Sequence, residues 1–292
     1  MSDLPENTEY SALVSLMDEP DDGIFSQIRN KVISLGPGVV PYLENSWENS
    51  FDDTVQQRIQ EIIHTIHYKS LYQELIQWKN SESPDLLKGF MLVNRFQFPE
   101  TDESKLTRQI GRISQDIWLE LNDGLTALEK IKVFNHVFYE ILGFSGNIEK
   151  LSAPENTYLN VLLETKKGNP LSLGVFYSIL AQSLKMPVYG VPLPEHYILA
   201  YLAEPYKNNK ITDEQKEVLF YINPFSKGEV FTKLEISRYL KQLKIESQPS
   251  YFHPCDNLFI IKIIFFTLIA MYQNAGANDK ADELEELVKI FE

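Results

Sequence analysis

Glu164-Thr165-Lys166-Lys167-Gly168-Asn169-Pro170-Leu171-Ser172-Leu173-Gly174 opens a long apolar pattern, and Pro194-Glu195-His196-Tyr197 and Tyr221-Ile222-Asn223-Pro224-Phe225 follow it. Gly168-Asn169-Pro170 is turn chemistry, and a proline at or near a first helical position sets up a helix start. Leu173, Phe176, Tyr177, Leu180, Ala181 and Leu184 continue the helix until Lys185-Met186-Pro187 ends it. Ser172 then falls in the first turn, near free backbone N–H groups and the positive end of the helix dipole. His196 enters a strand-like run, and Asn223 closes the next one. A hydroxyl at a helix start, a histidine entering a strand and an amide on the next strand outline a nucleophile–base–orienter triad.

Around this stretch the hydrophobic period changes. Val188 to Val191, His196 to Leu202 and Val218 to Ile222 are β-branched and aromatic runs bounded by Pro and Gly, which predicts short antiparallel strands. The polar connection from Lys207 to Lys216 reads as a mobile loop. Upstream, residues 10 to 144 read as helices. Asp52-Asp53 caps a helix carrying Val55, Ile59, Ile62, Ile63 and Ile66. Leu106, Ile110, Ile113, Ile117 and Leu121 form an amphipathic stripe that stops at Asn122-Asp123-Gly124. Downstream, Leu258 to Tyr272 is apolar nearly all round and Ala281, Leu284, Leu287, Val288 and Phe291 form a return stripe, so a helical hairpin is predicted. A helix this apolar must be covered by the rest of the domain or by a partner.

The chain has 292 residues and a net charge of −14, which disfavours nucleic acid and anionic membrane surfaces as partners. Its single cysteine, Cys255, rules out an internal disulfide and suits a reducing compartment. Met1 to Asn7 lacks the basic and apolar regions of a secretory signal. Leu258 to Tyr272 is shorter than the roughly 20 residues of a membrane span, and Lys262 interrupts it. Cytoplasmic residence is the expectation.

The core motifs resemble the transglutaminase-like superfamily, within the larger papain-like class of cysteine enzymes. The similarity is closest to a bacterial branch known as regulator of an invasion gene, whose core is followed by a tetratricopeptide hairpin. Asn156-Thr157-Tyr158-Leu159-Asn160, Gly168 to Leu173, Gly190-Val191-Pro192-Leu193-Pro194-Glu195-His196 and Ile222-Asn223-Pro224-Phe225 carry the resemblance, and the helices from about Asp85 onward fit it. It implies a triad of Cys at the start of a core helix, His on one strand and Asp on the next. Here the cysteine position is vacant, with Pro170 or Ser172 in its neighbourhood, and Asn223 stands where the wider family has Asp. An Asn orients a histidine adequately beside a thiolate. Beside a serine it does not, and exchanging Asp for Asn in a serine-protease triad costs about 10⁴ in turnover. The branch usually lacks the cysteine, so the resemblance speaks for the fold more than for activity.

Two further likenesses concern helical repeats. The helices before residue 80, with their acidic and Gly-Pro turns, resemble HEAT repeats; Tyr272, Gly276 and Ala281 resemble a tetratricopeptide hairpin. Other candidate sites are thin. His64 and His67 could share a helix face but lack a third metal ligand, and His253-Pro254-Cys255-Asp256 lacks the usual ligand count. Cys255 precedes an apolar helix, so burial is expected. No Gly-rich phosphate loop and no cofactor motif are evident.

The expectation is an α+β, mostly helical chain, with HEAT-like helices over 1–82, a transglutaminase-like core over 83–245 and a hairpin over 246–292. Ser172, His196 and Asn223 are the site residues, read as a structural relic: a helix-start hydroxyl bonding backbone, a half-buried histidine bonded to Asn223, and an amide fixing a strand end. The function expected is non-catalytic binding of a protein or peptide through the degenerate cleft or the repeats. The alternative is a hydrolase or acyl transferase on peptide or amide bonds, with Ser172 as nucleophile, His196 as base and Asn223 as orienter.

Overall fold

A computed structural model describes residues 8–194, 196–207, 210–211 and 216–292. The N-terminal stretch 1–7, Glu195 and much of the 207–216 connection lie outside the described residues, and with them the readings made of a missing signal and of a mobile loop.

The chain forms two compact units, Met1–Ile76 and Gln77–Glu292. The first is built from α1 (Thr8–Val14), α2 (Asp22–Ser34), α3 (Val40–Asn49) and most of α4 (Asp53–Lys79). Its turns are chemically explicit. Asp21 caps α2 by accepting the Ile24 N–H at 2.9 Å, and Asp52 accepts the Thr54 N–H at 2.8 Å ahead of α4. The apolar stripes then converge: Met17, Val32, Val39, Leu43, Ile59 and Ile62 are buried together. Arg58 lies 3.9 Å from the Phe25 ring centroid and donates to the Glu19 carbonyl at 2.8 Å, closing the acidic turn onto α4.

The division between the two units falls between Ile76 and Gln77, inside α4. The last turn of that helix belongs to the second unit: the Trp78 indole N–H donates to the Asp85 carbonyl at 2.7 Å, and Lys79 donates to the Ile290 carbonyl. Residues 246–292 lie within the second unit. A helix apolar on all sides cannot stand off by itself.

In the second unit α5 (Leu86–Gln97), α6 (Glu103–Glu120) and α7 (Ala127–Asn135) precede a wide π turn over His136–Ile141. β1 (Ser145–Gly146), α8 (Leu159–Thr165) and β2 (Lys167–Gly168) lead into α9 (Pro170–Ser183). Then come β3 (Val188–Leu193), β4 (His196–Leu202), β5 (Val218–Asn223), β6 (Glu229–Phe231) and α10 (Lys233–Gln242). The hairpin of α11 (Asn257–Asn274) and α12 (Asn278–Val288) closes the unit. β3 to β6 form one antiparallel sheet in that order. The three expected strands are present. β6 and the two-residue parallel pair β1–β2 carried no period long enough to read.

Helix α9 lies on one face of the sheet and α10 on the other. Period-2 alternation sorts the strand side chains accordingly. Ile198, Ala200, Leu202 and Tyr221 cluster with Ile236 and Leu240 of α10. Tyr197 points the opposite way, so close to Gly174 of α9 that a Cβ there would sit 2.7 Å from its ring. Behind α9, Phe138 stacks on Phe144 at 4.5 Å and Phe134 meets Tyr177 at 4.2 Å, forming an aromatic core. Tyr272 anchors α11: its hydroxyl lies 2.9 Å from that of Tyr158 and donates to Gln97 at 3.0 Å. Among the described residues Asn257–Asn274 is the one helix long and apolar enough to cross a membrane by length and composition. Here Ile260, Ile261, Ile264, Phe265, Leu268 and Ile269 of that helix are buried in the unit.

Candidate functional site

The start of α9 is a buried polar knot. Asn169 is its N-cap: the side-chain carbonyl accepts the Ser172 N–H at 2.8 Å, and the Asn169 N–H donates to the Ser172 hydroxyl at 3.1 Å. The Ser172 hydroxyl in turn donates to the Asn156 carbonyl at 2.6 Å. The Asn169 amide donates to the Thr157 hydroxyl at 2.7 Å, and Asn147 donates to the Asn156 side chain at 2.9 Å. Asn156, Thr157, Asn169 and Ser172 are all buried, so each needs these partners. Two separated motifs are thereby tied together, the 156–160 run and the 168–173 run.

This knot decides the role of Ser172. The residue is fully buried and its hydroxyl is engaged as both donor and acceptor within the cap. Ser172→Ala is expected to cost about 1–3 kcal/mol, because buried groups that it pairs lose their partner. Urea unfolding measures this. A loss below about 0.5 kcal/mol would show that the hydroxyl is not holding the helix start.

The helix start also offers few of the donors that stabilise an oxyanion. Pro170 at the first position has no N–H, and the Ser172 N–H is taken by Asn169. Acyl-transfer chemistry needs convergent N–H groups aimed at the developing charge. Asn169 and Pro170 have used up two of the first three positions.

A cleft of about 740 Å³ opens beside this start, and Asn169, Pro170, Leu171, His196 and Tyr197 are among the residues that line it. Its other walls are Leu151-Ser152, Pro192-Leu193-Pro194, Ser250-Tyr251 and the side of α11 bearing Phe259, Ile263, Thr267 and Met271. Among the described residues no Asp, Glu, Lys or Arg is in this lining. Thus Pro170, rather than Ser172, shares the cleft with His196.

His196 is exposed at the first position of β4, with its ring 5.2 Å from that of Tyr239. The ladder between β4 and β5 ends at Leu199↔Ile222, three residues short of the histidine. Asn223 pairs instead with Glu229 of β6. Its side-chain carbonyl accepts the N–H groups of Phe225 and Ser226 at 3.1 and 3.2 Å, so it caps the turn after β5. The Tyr139 hydroxyl holds that turn by donating to the Pro224 carbonyl at 2.7 Å. Among the described residues no hydrogen bond joins any two of Ser172, His196 and Asn223. The expected backbone-bonding role of Ser172 and the strand-end role of Asn223 describe what these side chains do. The expected bond between His196 and Asn223 is absent, because the strand pairing runs out before it reaches the histidine.

Cys255 lies against the edge of β3, its N–H donating to the Gly190 carbonyl at 3.0 Å. Its thiol contacts the Gly190 carbonyl at 3.7 Å, and burial pushes its pKa well above the ordinary thiol range. Tyr197 lies close by, its hydroxyl buried without a hydrogen-bond partner and its pKa driven up by desolvation. Among the described residues no group of three His, Cys, Asp or Glu could hold a metal ion. Sequence reading missed the apolar walls Pro192, Tyr251, Phe259, Ile263 and Met271. For Phe259, Ile263 and Met271 the signal was an apolarity of α11 in excess of what one buried face needs.

A core helix entered through a capped Asn-Pro turn packs on an antiparallel sheet whose second strand begins with histidine, and Pro170 rather than Ser172 lines the cleft between them. The chain belongs to the transglutaminase-like superfamily, whose family model matches residues 104–265, more than half of the sequence. It is similar to a UPF0162 protein of Xylella fastidiosa, at 23% identity over 69% of this chain and 70% of that protein. It is also similar to a UPF0162 protein of Vibrio cholerae, at 25% identity over 62% of this chain and 63% of that protein. F-box only protein 21 of Mus musculus matches at 28% identity over 33% of this chain but only 14% of its own length. Several of these relatives are thus covered over less than two thirds of their length. No solved structure matches the chain significantly.

Proposed function

We propose that this chain is a non-catalytic member of its superfamily, binding a protein or peptide partner through the cleft beside His196. The observation that carries the reading is the occupancy of the helix start: proline faces the cleft, and the Ser172 hydroxyl is buried in a cap. A cleft of this volume with mostly apolar walls and few polar groups suits ligand binding. The match to a small part of a much longer F-box protein supports a module that serves as one part of a larger assembly.

The finer family reading belongs to the same proposal. In it the first four helices act as HEAT-like repeats and the α11–α12 hairpin as a tetratricopeptide-like one, as in the invasion-gene regulator branch. Paired helices of this kind build concave binding surfaces. The net charge of −14 argues for a protein partner over nucleic acid or an anionic membrane, and the single cysteine suits the cytoplasm.

Treatment of the folded protein with a fluorophosphonate and with iodoacetamide tests this. The expected result is no labelling of Ser172 or Cys255. His196→Ala should leave that result unchanged while weakening partner binding. Stoichiometric labelling of Ser172, abolished by His196→Ala, would replace this reading with a hydrolase or acyl transferase.

A further inference from the structure

We infer that the occupant of the cleft is an amphipathic α-helix of a protein partner, apolar toward the groove and basic toward solvent. This deepens the binding reading above and rests on it. The first observation is the second face of α11. One face is buried, yet Phe259, Ile263, Thr267 and Met271 line the cleft at spacings of four, and Phe266, seven residues on from Phe259, shares its side of the helix. Phe259 is 47% and Phe266 51% exposed, large values for phenylalanines on a helix already packed in a core. At 1.5 Å per residue the stripe from Phe259 to Met271 runs about 18 Å, or a little over three helical turns.

The opposite wall rejects an extended peptide. The outer edge of β3 at Gly190 already accepts the Cys255 N–H at 3.0 Å. Pro192 lies two residues further on, so its backbone faces the same edge, and proline has no N–H to give. Strand addition draws its affinity from main-chain bonds, and this edge cannot supply the ladder. A helix satisfies its own backbone and asks only for apolar contact.

A small apolar molecule fits less well. Phe266 lies on the α11 stripe but outside the lining of the cleft, so a ligand filling the cavity would leave it bare. A helix laid along α11 covers both. Charge selects the polar face of the visitor. Among the described residues the lining is free of charged side chains, whereas exposed Glu149, Glu155 and Asp256 flank it in sequence against Lys150 and the half-buried Lys262. With a net charge of −14 the chain attracts a basic helix and repels a second copy of itself.

Fluorescence anisotropy with the full chain tests the inference. The probe is an end-capped, fluorescein-labelled 16-residue peptide with leucines at i, i+4, i+7 and i+11 and lysines elsewhere on its surface. The comparators are a composition-matched peptide with alternating leucines, a scrambled one, and one with glutamates replacing the lysines. The helical lysine probe is expected to bind at least tenfold more tightly than all three. Phe266→Glu, on an exposed ring, should reduce that affinity at least tenfold with an unchanged circular dichroism melt. Phe259→Ala provides a second variant that adds no charge, and should weaken binding at least threefold. Preference for the alternating peptide would overturn the helical mode while leaving the binding function intact. Equal binding of scrambled and helical probes, or indifference to both variants, would reduce the attraction to charge alone and overturn it. So would saturation by cis-parinarate with no helical peptide bound, which would assign a small apolar ligand. Failure of the binding reading itself is seen separately, as labelling of Ser172 by fluorophosphonate.

Discussion

Gly190→Ala is expected to destabilise the protein by about 3 kcal/mol, the top of the usual range for overpacking. A Cβ at this position would lie 1.9 Å from the Tyr197 hydroxyl oxygen, 2.7 Å from the ring carbon bearing it and 3.2 Å from Ile260. The ring has nowhere to retreat. Its other edge lies against Gly174 of α9, where a Cβ would come within 2.7 Å, with Pro224 at 3.1 Å from the same point. Tyr197 is thus a spacer between helix and strand, seated on two glycines. Because its hydroxyl is buried without a partner, packing alone holds it. Tyr197→Phe is therefore expected to stabilise the protein by about 1 kcal/mol, by removing an unsatisfied group. In the double variant the nearest contact relaxes from 1.9 to 2.7 Å, so part of the loss should return. Denaturant unfolding of the four proteins closes the cycle. A single-variant loss under about 1 kcal/mol, or no recovery in the double, would disprove this seating of the ring.

Pro170→Cys carries the largest expected chemical effect. The position begins a 14-residue helix and lines the cleft that His196 also lines. A thiol there gains the positive end of the helix dipole and shares its cleft with the His196 imidazole, both of which favour thiolate. An unperturbed thiol of pKa about 8.5 is only about 3% thiolate at pH 7; lowering that pKa to about 7 makes the fraction half. Alkylation by iodoacetamide at pH 7 should then run about tenfold faster than with an unstructured thiol. The sign of the pH dependence follows: the rate rises with pH, with its midpoint below that of a free thiol. His196→Ala in the same background should move the midpoint upward. Mass spectrometry assigns the label, and Cys255 should stay unmodified, since burial keeps it protonated. A thiol at position 170 that reacts no faster than a peptide thiol would mean that the cleft is not a vacated nucleophile site.

These two variants mark where sequence and fold part company. Helix α4 was legible because apolar period and acidic cap agree, with Asp52 accepting the Thr54 N–H at its start, and α6 was legible from its apolar stripe. The strands were legible from β-branched alternation. The site was legible only in outline. Ser172, His196 and Asn223 each stand where the motifs put them, one at a helix start and two on neighbouring strands. Their partners were not legible. Asn156, whose carbonyl takes the Ser172 hydroxyl, is 16 residues away, and Glu229 pairs with Asn223 through a strand of three residues. Gly174 and Gly190 sit inside an apolar helix and a strand, where a glycine signals close approach of another group. The group they admit, the Tyr197 ring, comes from a third element.

Local chemistry alone dictated the order of helices and strands, the capped Asn-Pro entry to the core helix and membership of the transglutaminase-like superfamily. Period, cap and turn preference act within a few residues and need no partner. Tertiary structure alone decided that Ser172 turns inward while Pro170 meets the cleft, and that His196 and Asn223 go their separate ways. Which way a side chain faces depends on how far a strand ladder runs and on which distant carbonyl awaits a hydroxyl, and no local pattern encodes either.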